Sequence, residues 1–411
     1  MTPSSSSLLS SVKIDRGGQE ISFDVTVGDL HTITPSSYVS LSGAVLNEFS
    51  YQMAKSYCIP VGGVYVASPG YMLNMAGIGR NCIITAVDKT RTPTLDEFAR
   101  AIQELPDGGR VPFRFISLAD IHRERVTIVQ LDRHWHDFKK ATRNDATGLW
   151  DFEKFPPAKS QYQPKPTTAS MITLDKADPP TAALIPSLVS VEFFVPFSVD
   201  GVHGTKFVGT GLIVDASKGL VVVDANTVPI VMGDVWVTFA ASLVIPGKVL
   251  YLHPIHNFAI ISYDPVLIAE TPVQSAALSA QVLVQGDSVN LVGLYKPHVP
   301  VSRKTTVSKI RDISLRECNP PRYRATNIEG IEVDNPVSCQ GGVLADDKGA
   351  VQGLWVSFSF QDGEGEDSQF YIGLPIDIIK PVLETLRADK FPELRSLEVE
   401  LAPVQIVQAR E

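Results

Sequence analysis

The spacing of apolar and polar positions changes character along this chain. Between residues 40 and 133 strand-like and helix-like periods alternate. GGVYVASPG reads as a strand closing in a Pro-Gly turn, and YMLNMAG as a short helix with Gly77 and Gly79 at hand to stop it. CIITAVDKT is the next strand. TLDEFARAIQEL then places Leu95, Phe98, Ala101, Ile102 and Leu105 on one helical face, with Thr94 as N-cap and Glu97 at capping-box distance. PDGG ends that helix, and VPFRFISL and ERVTIVQLD alternate as strands. A compact α/β unit is the expectation.

From 180 to 375 the period becomes that of short strands. LVSVEFFVPFSV, KFVGTGLIVD, GLVVVDANTV, DVWVTFA, GKVLYLHP, FAIISYD, DSVNLVGLY, TTVSKIRDI, GGVLADD, AVQGLWVSF and SQFYIGLP follow one another with turns between them. This spacing predicts an all-β barrel or sandwich, and the length suffices for two small barrels packed together. IDIIKPVLETLRAD closes the region as a helix with Pro381 in its first turns, where a missing N–H costs little.

The flanks are thinner. Residues 12 to 28 read as two strands across Arg16-Gly17-Gly18. The segment 139 to 179 contains KFPPAKSQYQPKPTTAS and is expected to be an extended linker, with Trp150 and Phe152 pinning one end onto a neighbour. LRSLEVELAPVQIVQARE begins a strand and a helix at the end. The chain is thus expected to start inside one domain and stop inside another.

Composition narrows the function classes. The 411 residues are 44% apolar with 29 Gly and 29 Pro, which fits a turn-rich globular protein. A formal charge of -9 argues against general attraction to nucleic acid or anionic membrane. Cys58, Cys82, Cys318 and Cys339 are scattered and match neither a disulfide framework nor a zinc site, so a reducing compartment is expected. No apolar run reaches the roughly 18 residues of a membrane helix, and MTPSSSSLLSSVK is too short and polar for a signal peptide.

Two sets of motifs carry a resemblance. GGVYVASPGYMLNMAGIGRNCIITAVDKTRTPTLDEFARAI resembles a PDZ domain of the HtrA type. GTGLIVD, GLVVVDANTVP, HPIHNFAIISYDP, GDSVNLVG and CQGGVLADDKGAVQGL together resemble the HtrA-type, trypsin-like protease domain. Their order resembles the second half of the fungal nuclear, pro-apoptotic HtrA-like serine proteases, which have two protease-like domains and several PDZ domains. The resemblance implies a mainly β fold, a trypsin-like double β-barrel plus α/β PDZ-type domains. It implies a PDZ remnant at 1–39, a PDZ domain at 40–138, the linker at 139–179, a trypsin-like pseudoprotease domain at 180–388 and the start of a further PDZ domain at 389–411.

The seats of the catalytic triad can be read residue by residue. A serine protease needs a nucleophile, a base to take its proton and an acid to orient the base. The base seat in GLVVVDANTV is Asn226, which has no titratable proton near neutral pH. The acid seat in HPIHNFAIISYDP is Asn257, and the nucleophile seat ahead of Gly341-Gly342 is Gln340. The triad is degenerate at every position. Gln340, Gly341 and Gly342 remain as the remnant of the oxyanion turn.

Alternatives stay open at this point. Ser338 or Cys339 could act as an out-of-register nucleophile, although no histidine stands at the base seat. His253 and His256 lie three apart but are broken by Pro254, with no third ligand at metal spacing, and His134 and His136 alternate as if sharing one strand face, where edge packing accounts for them. No metal or other cofactor is expected. In the PDZ region the carboxylate-loop candidate is Tyr57-Cys58-Ile59-Pro60, with Phe98, Ala101 and Ile102 as the apolar wall. The resemblance implies an N-terminal active protease half as partner, peptide or protein substrates, a homo-oligomer, no membrane and no direct nucleic acid. It places the chain in the nucleus, and in the cytoplasm as well. Action as a chaperone-like binder of unfolded chains is a further alternative.

Overall fold

The computed structural model describes residues 8–27, 29, 31, 33–171, 177–199, 202, 204–295, 298–313, 315, 327–361, 367–395, 399 and 401. It divides into two compact units, Met1–Gln163 and Pro164–Glu411. Among the described residues no helix is long and apolar enough to cross a membrane.

The first unit opens with a two-stranded hairpin, Leu8–Arg16 against Gln19–Val27. Its turn holds Gly17 and Gly18 at φ 65° and 83°, and the Asp15 carboxylate accepts the Gly18 N–H at 2.8 Å. The remaining strands form a nine-stranded sheet. The helix Leu95–Gln103 lies against it and buries Leu95, Phe98, Ala99 and Ile102. Thr94 caps this helix, accepting the Glu97 N–H at 3.3 Å while its hydroxyl donates to the Glu97 carboxylate at 2.9 Å. The far end is held by buried Arg133, whose guanidinium donates to the carbonyls of Ile102 at 2.9 Å and Leu105 at 2.6 Å.

Two expectations change in this unit. The first part of the expected linker is a hairpin, Lys139–Asn144 against Leu149–Lys154, and it belongs to the sheet. Its turn chemistry explains this: the Asn144 side chain accepts the N–H groups of Ala146 and Thr147 at 3.1 and 3.2 Å, and Gly148 takes φ 71°. His134 and His136 lie in a bend outside any strand, so they share no strand face. The His134 ring is tied to the Asp132 carboxylate. Trp150 contacts Tyr38, with ring centroids 5.2 Å apart, and Phe152 lies under Lys139.

The second unit is two closed six-stranded barrels. The first is built from Leu188–Phe194, Lys206–Asp215, Leu220–Val223, Asp234–Phe239, Leu243–Leu252 and Ala259–Tyr263. The second uses Ser288–Tyr295, Val299–Ile313, Ile328–Val333, Gly342–Ala345, Val351–Gln361 and Asp367–Pro375. Ile328–Val333 has no counterpart among the expected strands. Its Gly330 interrupts the apolar run because a Cβ there would stand 2.4 Å from the Ile372 side chain.

The barrels explain why LVVV is an unbroken apolar run. Val221 and Val223 fill the first barrel, while Leu220 and Val222 face a second cluster made with Val292, Val343 and Leu354 of the other barrel. A strand buried on both faces loses the alternation of a half-exposed one. The helix Lys380–Arg387 adds Val382, Leu383 and Leu386 to that shared cluster, with Pro381 near its start. The segment 389–411 expected to start another domain lies largely outside the described residues, as does Cys318.

Candidate functional site

Asn226 and Asn257, from two connections of the first barrel, are brought together against one strand of the second. The chain leaves Leu220–Val223 into a turn stabilised by Asp224, whose carboxylate accepts the Thr227 N–H at 2.8 Å. The other Asp224 oxygen accepts from Ser357, from its N–H at 3.0 Å and its hydroxyl at 2.8 Å. Asn226 sits between two serines of Val351–Gln361. Its amide donates to the Ser357 hydroxyl at 3.2 Å, and its carbonyl accepts from the Ser359 hydroxyl at 2.8 Å.

Asn257 is buried, with both ends of its amide hydrogen-bonded. Its side-chain oxygen accepts the Ala225 N–H at 2.9 Å, and its NH2 donates to the Ser357 carbonyl at 2.6 Å. A carboxylate there would face that carbonyl oxygen with no proton between them. The amide fits this site better than a carboxylate would.

Gln340 meets the same region through its backbone. Its carbonyl accepts the Thr210 N–H at 2.7 Å, while neighbouring Gly209 packs against Thr227, beside Asn226. The Gln340 N–H donates to the Leu294 carbonyl at 2.8 Å. An oxyanion hole needs that donor free and aimed at the reacting oxygen. Gly341 takes φ 77°, and a Cβ on Gly342 would stand 2.3 Å from the Val292 carbonyl oxygen. Backbone conformation at Gly341 and packing at Gly342 are therefore sufficient reason for these glycines.

The neighbouring nucleophile candidates part company. Cys339 is buried against Gly293 and joins the core of the second barrel. Burial pushes its thiol up to about 12, so thiolate is negligible near neutral pH. Ser338 is exposed. Among the described residues no imidazole is hydrogen-bonded to either. His253 is buried in the first barrel, its Nδ1 accepting the N–H groups of Ile255 at 3.2 Å and His256 at 2.8 Å. That nitrogen is committed to its turn, and the His253 ring stacks on His256 at 4.5 Å.

In the first unit Tyr57 ends the helix Tyr51–Tyr57 and Cys58 caps it at φ 54°. The Cys58 N–H is spent on the helix carbonyls and the Ile59 N–H on Ala54 at 3.1 Å, while Pro60 has none. The donors a terminal carboxylate would need from these three residues are already engaged. Phe98 and Ile102 are fully buried in the sheet core, and Ala101 packs against it.

Sequence reasoning passes over Asp224 and Ser357, which hold the cleft together. A signal was available: a lone carboxylate in VVVDA, and two serines at period two inside the apolar strand LWVSFSF.

Comparison with known proteins gives the family. Residues 32–108 match the model of a PDZ-like domain. A pro-apoptotic serine protease NMA111 of Yarrowia lipolytica is 39% identical over 97% of this chain and 42% of its own length. That of Aspergillus terreus is 38% identical over 97% of this chain and 39% of its own. The crystal structure of Deg5 superposes with TM-score 0.39 and 17% identity, over 52% of this chain and 94% of that one. The chain spans about two fifths of the length of the curated relatives it matches. It belongs to the fungal NMA111-type, HtrA-like serine protease family, as a partial chain with PDZ and trypsin-like portions.

Proposed function

We propose that this chain is the non-catalytic part of a larger nuclear HtrA-like protease, also present in the cytoplasm. It supplies peptide binding, regulation or assembly to an active half of the same protein. The observation that carries this reading is the filling of the cleft. Amides occupy all three seats, two of them are tied to Ser357, and the Gln340 N–H is bonded to Leu294. Nothing at the seats can take a proton from a nucleophile. The names of the relatives connect the full-length protein to apoptosis, and the family resemblance connects it to lipid homeostasis.

Turnover of a fluorogenic unfolded protein tests this, with Cys339→Ala and Ser338→Ala beside the wild-type chain. No cleavage above buffer in any of the three is the expected result. Cleavage lost in only one variant would identify a nucleophile and overturn the reading.

A further inference from the structure

The strand Ser37–Leu41 lies near the end of the first unit's sheet, beside the helix Leu95–Gln103. A strand edge next to a helix is where an extended peptide is added in this kind of domain. Here that position is taken by the chain itself. Lys139–Asn144 runs antiparallel to Ser37–Leu41, pairing Lys139 with Ser40, Lys140 with Val39, Ala141 with Tyr38 and Thr142 with Ser37. The Arg143 N–H continues the ladder to the Ser36 carbonyl at 2.7 Å.

Its side chains behave as a ligand's would. Val39 faces the core, so its partner Lys140 does too, and the Lys140 ammonium meets the Asp96 carboxylate on the helix. Phe138, two residues before, is in phase with Lys140. It is buried in one cluster with Leu41, Phe98 and Ile102. The route of the chain adds a second argument. Asp120–Gln130, the preceding strand, forms the opposite edge of the sheet, and the chain crosses back to reach this one. The outer strand of the hairpin, Leu149–Lys154, is exposed along its whole length.

We propose that the edge Ser37–Leu41 is this unit's peptide-binding edge, filled in cis by Phe138–Asn144. An external ligand is an internal extended segment with an aromatic residue followed two places later by a basic one. It enters only when the hairpin Lys139–Lys154 leaves. The competent fraction is then small, and apparent affinity falls by that fraction. This goes beyond the state of the protease-like cleft and stands whether or not that cleft is inert.

The probe is a fluorescein-labelled peptide of sequence HDFKKATRN, titrated into the full chain by polarisation. Three variants accompany the wild type: Lys140→Glu, which opposes Asp96; Ala141→Pro, which removes an N–H from the ladder; and Lys140→Glu with Asp96→Lys, which restores the pair. The opened variants are expected to bind at least about tenfold tighter than wild type, and the charge-swapped one to return to wild-type weakness. Hydrogen exchange should show the hairpin exposed in Ala141→Pro while Val64–Ser68 stays protected. Equal binding by wild type and opened variants would overturn the proposal. So would an opened hairpin with no binding, a hairpin protected in every variant, or loss of Val64–Ser68 protection in Ala141→Pro, which would make the strand part of the folding core.

Discussion

His253 should make the first barrel sensitive to mild acid. The residue is only 6% exposed. Burial, with a smaller contribution from neighbouring His256, lowers its pKa from 6.5 to about 3. Geometry gives the same direction, because protonating Nδ1 would place a donor against the N–H groups of Ile255 and His256. The unfolded chain binds a proton between those two values and the folded chain does not. Stability is therefore complete above about 6.5, falls as pH drops toward 3, and levels off below. At pH 5 the loss is about 2 kcal/mol relative to pH 7, and it depends little on the folded value, which lies well below 5. His253→Asn is the matching control, since its side-chain oxygen can accept the same two N–H groups without titrating. Hydrogen exchange of Ala259–Tyr263, corrected for intrinsic rates, reads the barrel alone. Protection in the wild type should fall about 30-fold more than in the variant between pH 7 and pH 5. An equal response of the two proteins, or a His253 ring resonance titrating near 6.5, would refute the reasoning.

Three other outcomes are expected. Rebuilding the triad with Asn226→His, Asn257→Asp and Gln340→Ser should still give no turnover of an unfolded substrate. A missing oxyanion donor alone costs about 10²–10³ in rate, and the carboxylate introduced by Asn257→Asp would oppose the Ser357 carbonyl. Arg133→Ala removes the clamp on the helix Leu95–Gln103 and strands the buried Asp107 carboxylate, which Arg133 Nε meets at 3.4 Å, a cost of about 3–5 kcal/mol. Exchange of Val64–Ser68 should accelerate at least about 100-fold, whereas an unchanged rate would make the clamp incidental. Iodoacetamide mapping near neutral pH should modify exposed Cys58 readily and leave buried Cys82 and Cys339 intact in the folded chain. Rapid labelling of Cys339 would contradict its place in the barrel core.

Much of this was legible where local chemistry and tertiary need agree. Thr94 and Glu97 announced the helix start, and the short apolar runs from 188 onward announced barrel strands. The turn at DANTV and the Gly-Gly before an apolar strand were legible as tight backbone, because both are tied to close packing. Reading failed where the partner is distant. Lys139–Lys154 looked like linker because polar residues and the following prolines outweighed the Asn144 turn, and its strand character is fulfilled only against Ser37–Leu41. Ile328–Val333 was hidden by Gly330, whose reason lies 42 residues away at Ile372. The hydrogen bond from Gln340 to Leu294 has no local signature at all.

The central claim, that this chain carries no working nucleophile, is most directly tested by incubating it with a fluorophosphonate and measuring its intact mass. The account predicts an unchanged mass under conditions that fully label an active serine protease. A single adduct mapped to Ser338 in the peptide containing SCQGG would contradict it.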